Sequence, residues 1–356
     1  MRLKEVVYRA VKTIGGFALV RDSRWRRNRL LILCYHGVSM ADEHEWDPAL
    51  YITQDKLRQR LRMLRSGGYQ ILPLGEATRR LYDGILPPRS IAITFDDGAV
   101  DFERRALPVL REFNAPATLY LTTYYSVHRL PVFDTVLTYV LWKGRTSGGN
   151  VAACCEHQEA LPVTTAAERA RAGAQLKAFA LARELSADAK HALVARIAAA
   201  LGVNFQDILE RELLHIMSPE SVRALPRGLV DVQLHTHRHR TPRNRQEFMR
   251  EISDNIAVTT ELRGDTPVLE HFCYPSGEYF GEFLPWLRES GVRYATTCVP
   301  GLADRSTEPL LLPRFVDTTD QSDLAFEAWA SGFAALLPHR REYQLESGRL
   351  TVVSPA

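Results

Sequence analysis

Apolar runs of five or six residues punctuate the chain at intervals, and amphipathic stretches fill the gaps between many of them. Leu31 to Tyr35 and Ser90 to Phe95 are nearly continuous apolar segments, and Leu229 to Leu234 is an apolar run interrupted by Asp231 and Gln233. Such runs suit strands buried on both faces of a parallel sheet. Further strand-like segments fall near 69–72, 116–121, 270–274, 293–297 and 310–312. Between them, Thr53 reads as the N-cap of a helix through Arg65, ended by Gly67-Gly68. Asp101 to Phe113 is a second helix, kinked or restarted at Pro108, and helices over Glu247 to Leu262 and Phe280 to Glu289 follow. Strands alternating with helices imply parallel pairing and closure into an α/β fold, a distorted (β/α) barrel of about seven strands.

From about 125 to 228 the alternation stops. Aromatic residues give way to a Gly/Ser-rich break at Gly144 to Asn150, then to alanine-rich helices through about 202 and one from Phe205 to His215. This predicts a helical insertion, either a lid near the site or a packing subdomain. The resulting organisation is a basic segment over 1–29, barrel over 30–124, insertion over 125–228, barrel over 229–320, and a C-terminal helix and tail over 321–356.

Composition narrows the classes. The 356 residues are 46% hydrophobic, enough for a full core, and 45 basic against 42 acidic residues argue against a nucleic-acid binder. No segment approaches the roughly 20 apolar residues that cross a bilayer. The five cysteines lack metal-type pairing, reduced thiols are expected, and no signal-peptide pattern stands out, so a cytoplasmic location is expected. The basic segment (Arg2, Lys4, Arg9, Lys12, Arg21, Arg24, Arg26, Arg27, Arg29) either lies peripherally on an anionic inner-membrane face or packs as a solvated helix on the barrel.

Two strand ends carry the chemistry. Ser90–Phe95 ends in Asp96-Asp97-Gly98, two adjacent carboxylates that coexist as anions only beside a cation or strong donors. Leu229–Leu234 ends in His235-Thr236-His237-Arg238-His239. His235 and His239 share a face of a helical turn, whereas an extended segment would align His235, His237 and His239. Imidazole with carboxylate suits zinc, with cobalt and nickel also accepted, and Asp97, His235 and His239 would leave a coordination position open, as catalytic sites do.

Thr94-Phe95-Asp96-Asp97-Gly98 and His235-Thr236-x-x-His239 resemble the first two motifs of the polysaccharide deacetylases, the NodB-homology or carbohydrate esterase 4 family. The resemblance implies that Asp96 is the general base and that Asp97, His235 and His239 hold the metal. Phe272-Cys273-Tyr274-Pro275-Ser276-Gly277 resembles the third motif, which implies that Tyr274, Pro275 and Ser276 line the substrate groove, with a backbone N–H from this loop facing the oxyanion. Cys273 stands where that motif has the arginine that orients the base, and Ser276 where it has an aromatic. Arg314, in Leu312-Pro313-Arg314-Phe315, is the candidate to replace that arginine and joins the substrate-binding set. The family's C-terminal Leu-x-His is missing, and His339 is a poor substitute. Leu31 to Gly37, ending Tyr35-His36-Gly37, instead resembles the first strand of the permuted subgroup of biofilm poly-N-acetylglucosamine deacetylases, which implies His36 as the general acid.

The implied reaction is metal-dependent removal of N-acetyl groups from amino sugars of a poly- or oligosaccharide or polyprenyl-linked glycan, in exopolysaccharide or envelope synthesis. Arg238, Arg240, Arg243 and Arg245 either meet a polyprenyl diphosphate or form a solvated face. Two alternatives stay open. One is a glycoside hydrolase using Asp96 with a second carboxylate such as Glu278; the other is a silent carbohydrate-binding protein.

Overall fold

The apolar runs become a curled parallel sheet. In a computed structural model describing residues 3–129, 131–264 and 267–337, with the backbone of 343–346 and 349–352, eight strands pair side by side. They are β1 (Leu31–Tyr35), β2 (Gln70–Ile71), β3 (Ser90–Phe95), β4 (Ala117–Leu121), β5 (Val230–Leu234), β6 (His271–Cys273), β7 (Tyr294–Thr296) and β8 (Phe315–Val316). The order is β7-β6-β5-β4-β3-β1-β8, every pair parallel, with β2 on the first half of β3 and β4 on its second half. Every residue of β1, β3 and β4 is buried, as two covered faces require.

Three Leu residues at 310–312 look like a strand, but Pro309 and Pro313 deny them a ladder. Pro309–Leu311 is a 3₁₀ turn, and the last strand is the two-residue β8. The segment still closes the sheet: Leu312 N–H donates to Ala295 O (2.8 Å), Thr297 and Arg314 N–H donate to Leu312 O and Val299 O, and Phe315 and Val316 then pair with Leu33 and Cys34. The link from β7 to β1 therefore carries Arg314.

Helices cover the outside. Thr53 caps Gln54–Ser66 by accepting from Lys56 N–H, and Asn244 does the same for Arg245–Arg263 at Glu247 N–H. The predicted kink at Pro108 is a π-helical turn, Phe102–Ala106, running into an α-helix over Leu107–Phe113 with proline in its first turn, where no N–H is needed. The fourth predicted helix starts later than the pattern suggested, at Phe283–Glu289.

The basic N-terminal segment forms helices Leu3–Thr13 and Gly16–Asp22 and a turn, Arg24–Arg27. Tyr8 and Phe17 are buried against Phe333, and buried Arg26 donates to Arg29 O, Ala330 O and Ser90 O. Ile14 and Leu19 stay exposed, at 79% and 75%. Among the described residues no helix is long and apolar enough to cross a membrane. His339 lies outside the described residues.

The chain divides into two compact units: residues 1–127 with 217–356, and His128–Ile216. The second unit is narrower than the 125–228 insertion read from the sequence, because Met217 N–H already donates to Gly98 O and helix Pro219–Ala224 leads into β5. By itself it comprises helices Phe133–Lys143, Ala166–Ala182, Ala187–Ala200 and Phe205–Glu210, with Leu141, Leu176, Leu193, Val194 and Ile197 buried. Thr165 and Glu168 form a reciprocal capping box on its longest helix.

Candidate active site

Register decides which side chains meet at the carboxyl ends of the strands. Tyr35 pairs with Phe95, so His36 and Asp96 leave their strands side by side, and Asp96 N–H donates to Tyr35 O. Leu234 pairs with Phe272, which sets His235 beside Cys273. The turn after β3 is tight: Asp97 has φ +68° and Gly98 φ +85°, and a Cβ on Gly98 would lie 2.4 Å from Leu121 Cδ1. Only glycine fits there, and its turn swings Asp97 away from Asp96.

Asp96 is 2% exposed and held at both oxygens. Arg314, fully buried, donates from its two terminal nitrogens to Oδ1 and Oδ2 at 2.7 Å each, a bidentate pairing. The guanidinium is itself fixed by donations to Thr297 O (3.0 Å) and Thr94 Oγ1 (3.0 Å) and by contact with Cys273 Sγ (3.0 Å). Burial pushes the Asp96 carboxyl up, but the Arg314 charge and hydrogen bonds outweigh it and hold the group well below the usual carboxylate range. Asp96 is therefore an anion throughout the neutral range. The Cys273 and Cys34 thiols also approach Oδ2, at 3.4 and 3.6 Å, and His36 Nε2 lies 3.5 Å from it. His36 keeps 19% of its side chain exposed.

Asp97, His235 and His239 meet on the other side. Their ligand atoms all lie within 4.8 Å of one another, with Asp97 Oδ1 at 3.1 Å from both Nε2 atoms. The histidines reach this arrangement neither on a helical face nor along a strand. His235 follows β5, and left-handed backbone at Thr236 (φ +60°) and His239 (φ +55°) folds the loop back. His237 points elsewhere, its Nδ1 2.8 Å from Thr123 Oγ1. His235 Nδ1 lies 2.8 Å from Cys273 O, to which it can only donate, so a neutral His235 presents a lone pair at Nε2. At 3.1 Å from Asp97 Oδ1, that Nε2 needs either a proton or a metal ion between the two atoms. The donor set thus fits a divalent ion, and the carbonyl-bound Nδ1 is the outer support expected of a metal-ligating histidine. Asn255 supplies a second support, accepting from His235 N–H and donating to Leu121 O and Thr123 Oγ1.

The third segment differs from its expectation. Tyr274 is buried, its hydroxyl donates to Leu310 O, and Pro275 is buried, so of the three expected groove residues only Ser276, exposed at φ +57°, can face a ligand. Tyr274 N–H is committed to Thr296 O and proline has none, which leaves the Ser276 N–H as the candidate oxyanion donor from this stretch. Arg314 has no exposed surface with which to bind substrate; it holds Asp96, as expected of a replacement for the arginine that Cys273 displaces. The arginines after the histidine motif are already paired. Arg238 and Arg240 bond Glu251, Arg243 bonds Glu282 and Arg245 bonds Glu289, the pairing expected of a solvated face. Sequence reasoning passed over Cys34, Cys298 and Asn255, none of which carries a local signal.

Together these features define a distorted (β/α) barrel whose strand ends bring an arginine-held carboxylate beside a carboxylate–diimidazole set that could hold a metal ion. Residues 83–138 match the profile described as polysaccharide deacetylase. Poly-beta-1,6-N-acetyl-D-glucosamine N-deacetylase of Escherichia coli is 29% identical over 101 residues, 28% of this chain but only 15% of that protein. Streptococcus pyogenes deacetylase PplD in complex with acetate superposes with TM-score 0.55 at 16% identity, covering 87% of this chain and 99% of that one. IcaB from Ammonifex degensii gives TM-score 0.54 at 18% identity, over 85% and 97%. Profile, relatives and fold all point toward the polysaccharide deacetylases, to which the chain is similar over its first motif and in its fold; it spans only a small part of the curated relatives it matches.

Proposed function

We propose that this protein hydrolyses N-acetyl groups from the amino sugars of an exopolysaccharide-type glycan, using one divalent ion, zinc foremost, at Asp97, His235 and His239. The observation that carries the reading is the juxtaposition at one barrel mouth of the ionised, arginine-held Asp96, the convergent Asp97–His235–His239 set, and His36 at 3.5 Å from Asp96. An ion so held supplies Lewis acidity, lowering the pKa of a coordinated water and polarising the acyl oxygen.

The chain's own residues supply the rest. Asp96, kept ionised by Arg314, accepts a proton from the attacking water. A Ser276 N–H turned to the developing oxyanion would contribute roughly 3–4 kcal/mol. Protonated His36 then gives its proton to the sugar nitrogen as the C–N bond breaks, because an amine leaves poorly as an anion. A carboxylate locked in its ionised form cannot act as the acid of a glycosidase, so in that alternative Asp96 would serve only as nucleophile or base, with the acid coming from a carboxyl such as Glu278.

The test is acetate release from oligomers of N-acetylglucosamine by the wild type, Asp96→Asn and His36→Ala. The reading predicts release by the wild type and losses of about 10²-fold or more in each variant, the range for losing a positioned acid or base. Unchanged release in both variants, or cleavage of glycosidic bonds instead, would overturn it.

A further inference from the structure

Three cysteines distant in sequence gather around the Asp96–Arg314 pair, and the deacetylation scheme uses none of them. Cys34 is the penultimate residue of β1, Cys273 ends β6, and Cys298 follows β7. The Cys34 and Cys298 sulfurs and an Asp96 oxygen all lie within 4.8 Å of one another. Cys34 is buried whereas Cys298 is partly exposed, so a small molecule in the site meets Cys298 first. Cys298 Sγ also lies 3.6 Å from the Arg314 guanidinium. We propose that Cys34 and Cys298 are an oxidation site, a dithiol that a hydroperoxide closes to a disulfide beside Asp96, switching the enzyme down.

The two thiols are unequal in the way such a step needs. A hydrogen bond from Cys34 first, then the Arg314 and His36 charges, outweigh burial and pull the Cys298 thiol down to about 6. Burial, together with the bond to Cys298, pushes Cys34 well up. Cys298 is then the nucleophile and Cys34 the resolving thiol. The Cys298 sulfur attacks one peroxide oxygen, the O–O bond breaks, and sulfenic acid and one water form. The Cys34 thiol attacks that sulfur, the S–O bond breaks, and a second water leaves. Two thiols lose two electrons and two protons, and the hydroperoxide is reduced by the same two electrons. When the hydroperoxide is hydrogen peroxide, both products are water.

The bond acts on the base through two contacts. It removes the Cys34 donor from Asp96 Oδ2, and it draws on the 297–299 segment, whose Thr297 and Val299 carbonyls accept from Arg314 Nε and N–H. The loss of rate rests on the proposed deacetylase reading; the bond does not.

The full-length protein, treated with stoichiometric hydrogen peroxide, alkylated and digested without reductant, should yield a Cys34–Cys298 cross-linked peptide that dithiothreitol removes. Acetate release should fall at least tenfold and return with dithiothreitol. Cys298→Ser should give no cross-link, and its own rate should not respond to peroxide, while Cys154→Ser/Cys155→Ser should behave as the wild type. Recovery of Cys34 and Cys298 as separately alkylated peptides overturns the proposal, as does a cross-link to Cys273 instead or a peroxide response that survives Cys298→Ser. Absence of acetate release from the reduced protein would overturn the deacetylase reading and leave the peptide map to decide the disulfide.

Discussion

Arg314→Met isolates the strongest interaction in the site. The substitution removes two 2.7 Å charge-assisted bonds from a carboxylate that is 2% exposed and leaves thiols, His36 and His235 near it. Breaking a buried pair by deleting one partner costs roughly 3–5 kcal/mol, because the remaining charge is stranded. With Arg314 present, the folded Asp96 group sits below its unfolded value, so it contributes stability that is full above about pH 4 and is lost as pH falls through the folded value. Without Arg314, burial, the largest influence, is opposed only by the lesser His36 and His235 charges and raises the group, so its contribution is lost as pH climbs. The stability gap between wild type and variant should therefore widen from pH 5 to pH 8. It is to be measured by urea unfolding of chelator-treated protein. Acetate release at pH 7 should fall about 10²-fold and recover partly at higher pH, as Asp96 ionises late. Asp96→Asn/Arg314→Met, which removes both charges, should be more stable than Arg314→Met alone. A pH-independent gap, or a double variant no more stable than the single one, would refute the reasoning.

Other expectations follow from the supporting residues. Asn255→Leu deletes the group that fixes His235 N–H and should weaken metal affinity by roughly 10–100-fold, read by competition against a chromophoric chelator. Gly98→Ala forces a Cβ to 2.4 Å from Leu121 Cδ1 at φ +85° and should cost on the order of 1–3 kcal/mol in urea unfolding, with metal affinity falling as Asp97 shifts. His271, buried and stacked on Tyr294, is pushed down to about 3 by burial first and by the Arg79 and Arg293 charges, so it stays neutral. Its depressed value means that its contribution to stability is whole above about pH 6.5 and drains away toward pH 3, so His271→Phe should flatten the acid side of the stability profile.

Much of this was legible because burial on both faces writes itself into sequence. Leu31–Tyr35, Ser90–Phe95 and Val230–Leu234 emerge with the bounds that their apolar runs suggest. Asp96-Asp97 and His235/His239 were legible as chemistry because each directly follows such a run. What stayed hidden depends on pairing between distant segments. Nothing local in Leu312-Pro313-Arg314-Phe315 says that its guanidinium reaches a carboxylate 218 positions earlier; the closure between β7 and β1 puts it there. The histidine loop misled because a β-branched residue such as Thr236 in left-handed backbone is rare, so spacing alone favoured a regular helix or strand. Tyr274 misled because an aromatic beside a groove motif and an aromatic of the core look alike until the hydroxyl's partner, Leu310 O, is known.

The central claim is that one ion at Asp97, His235 and His239 turns an arginine-held carboxylate into a deacetylase. Titrating zinc into chelator-stripped protein while following both bound metal and acetate release tests it directly. The account predicts that acetate release rises with occupancy and saturates at one equivalent, and that Asp97→Ala loses binding and turnover together. Full release by the stripped protein, or by Asp97→Ala, would contradict it.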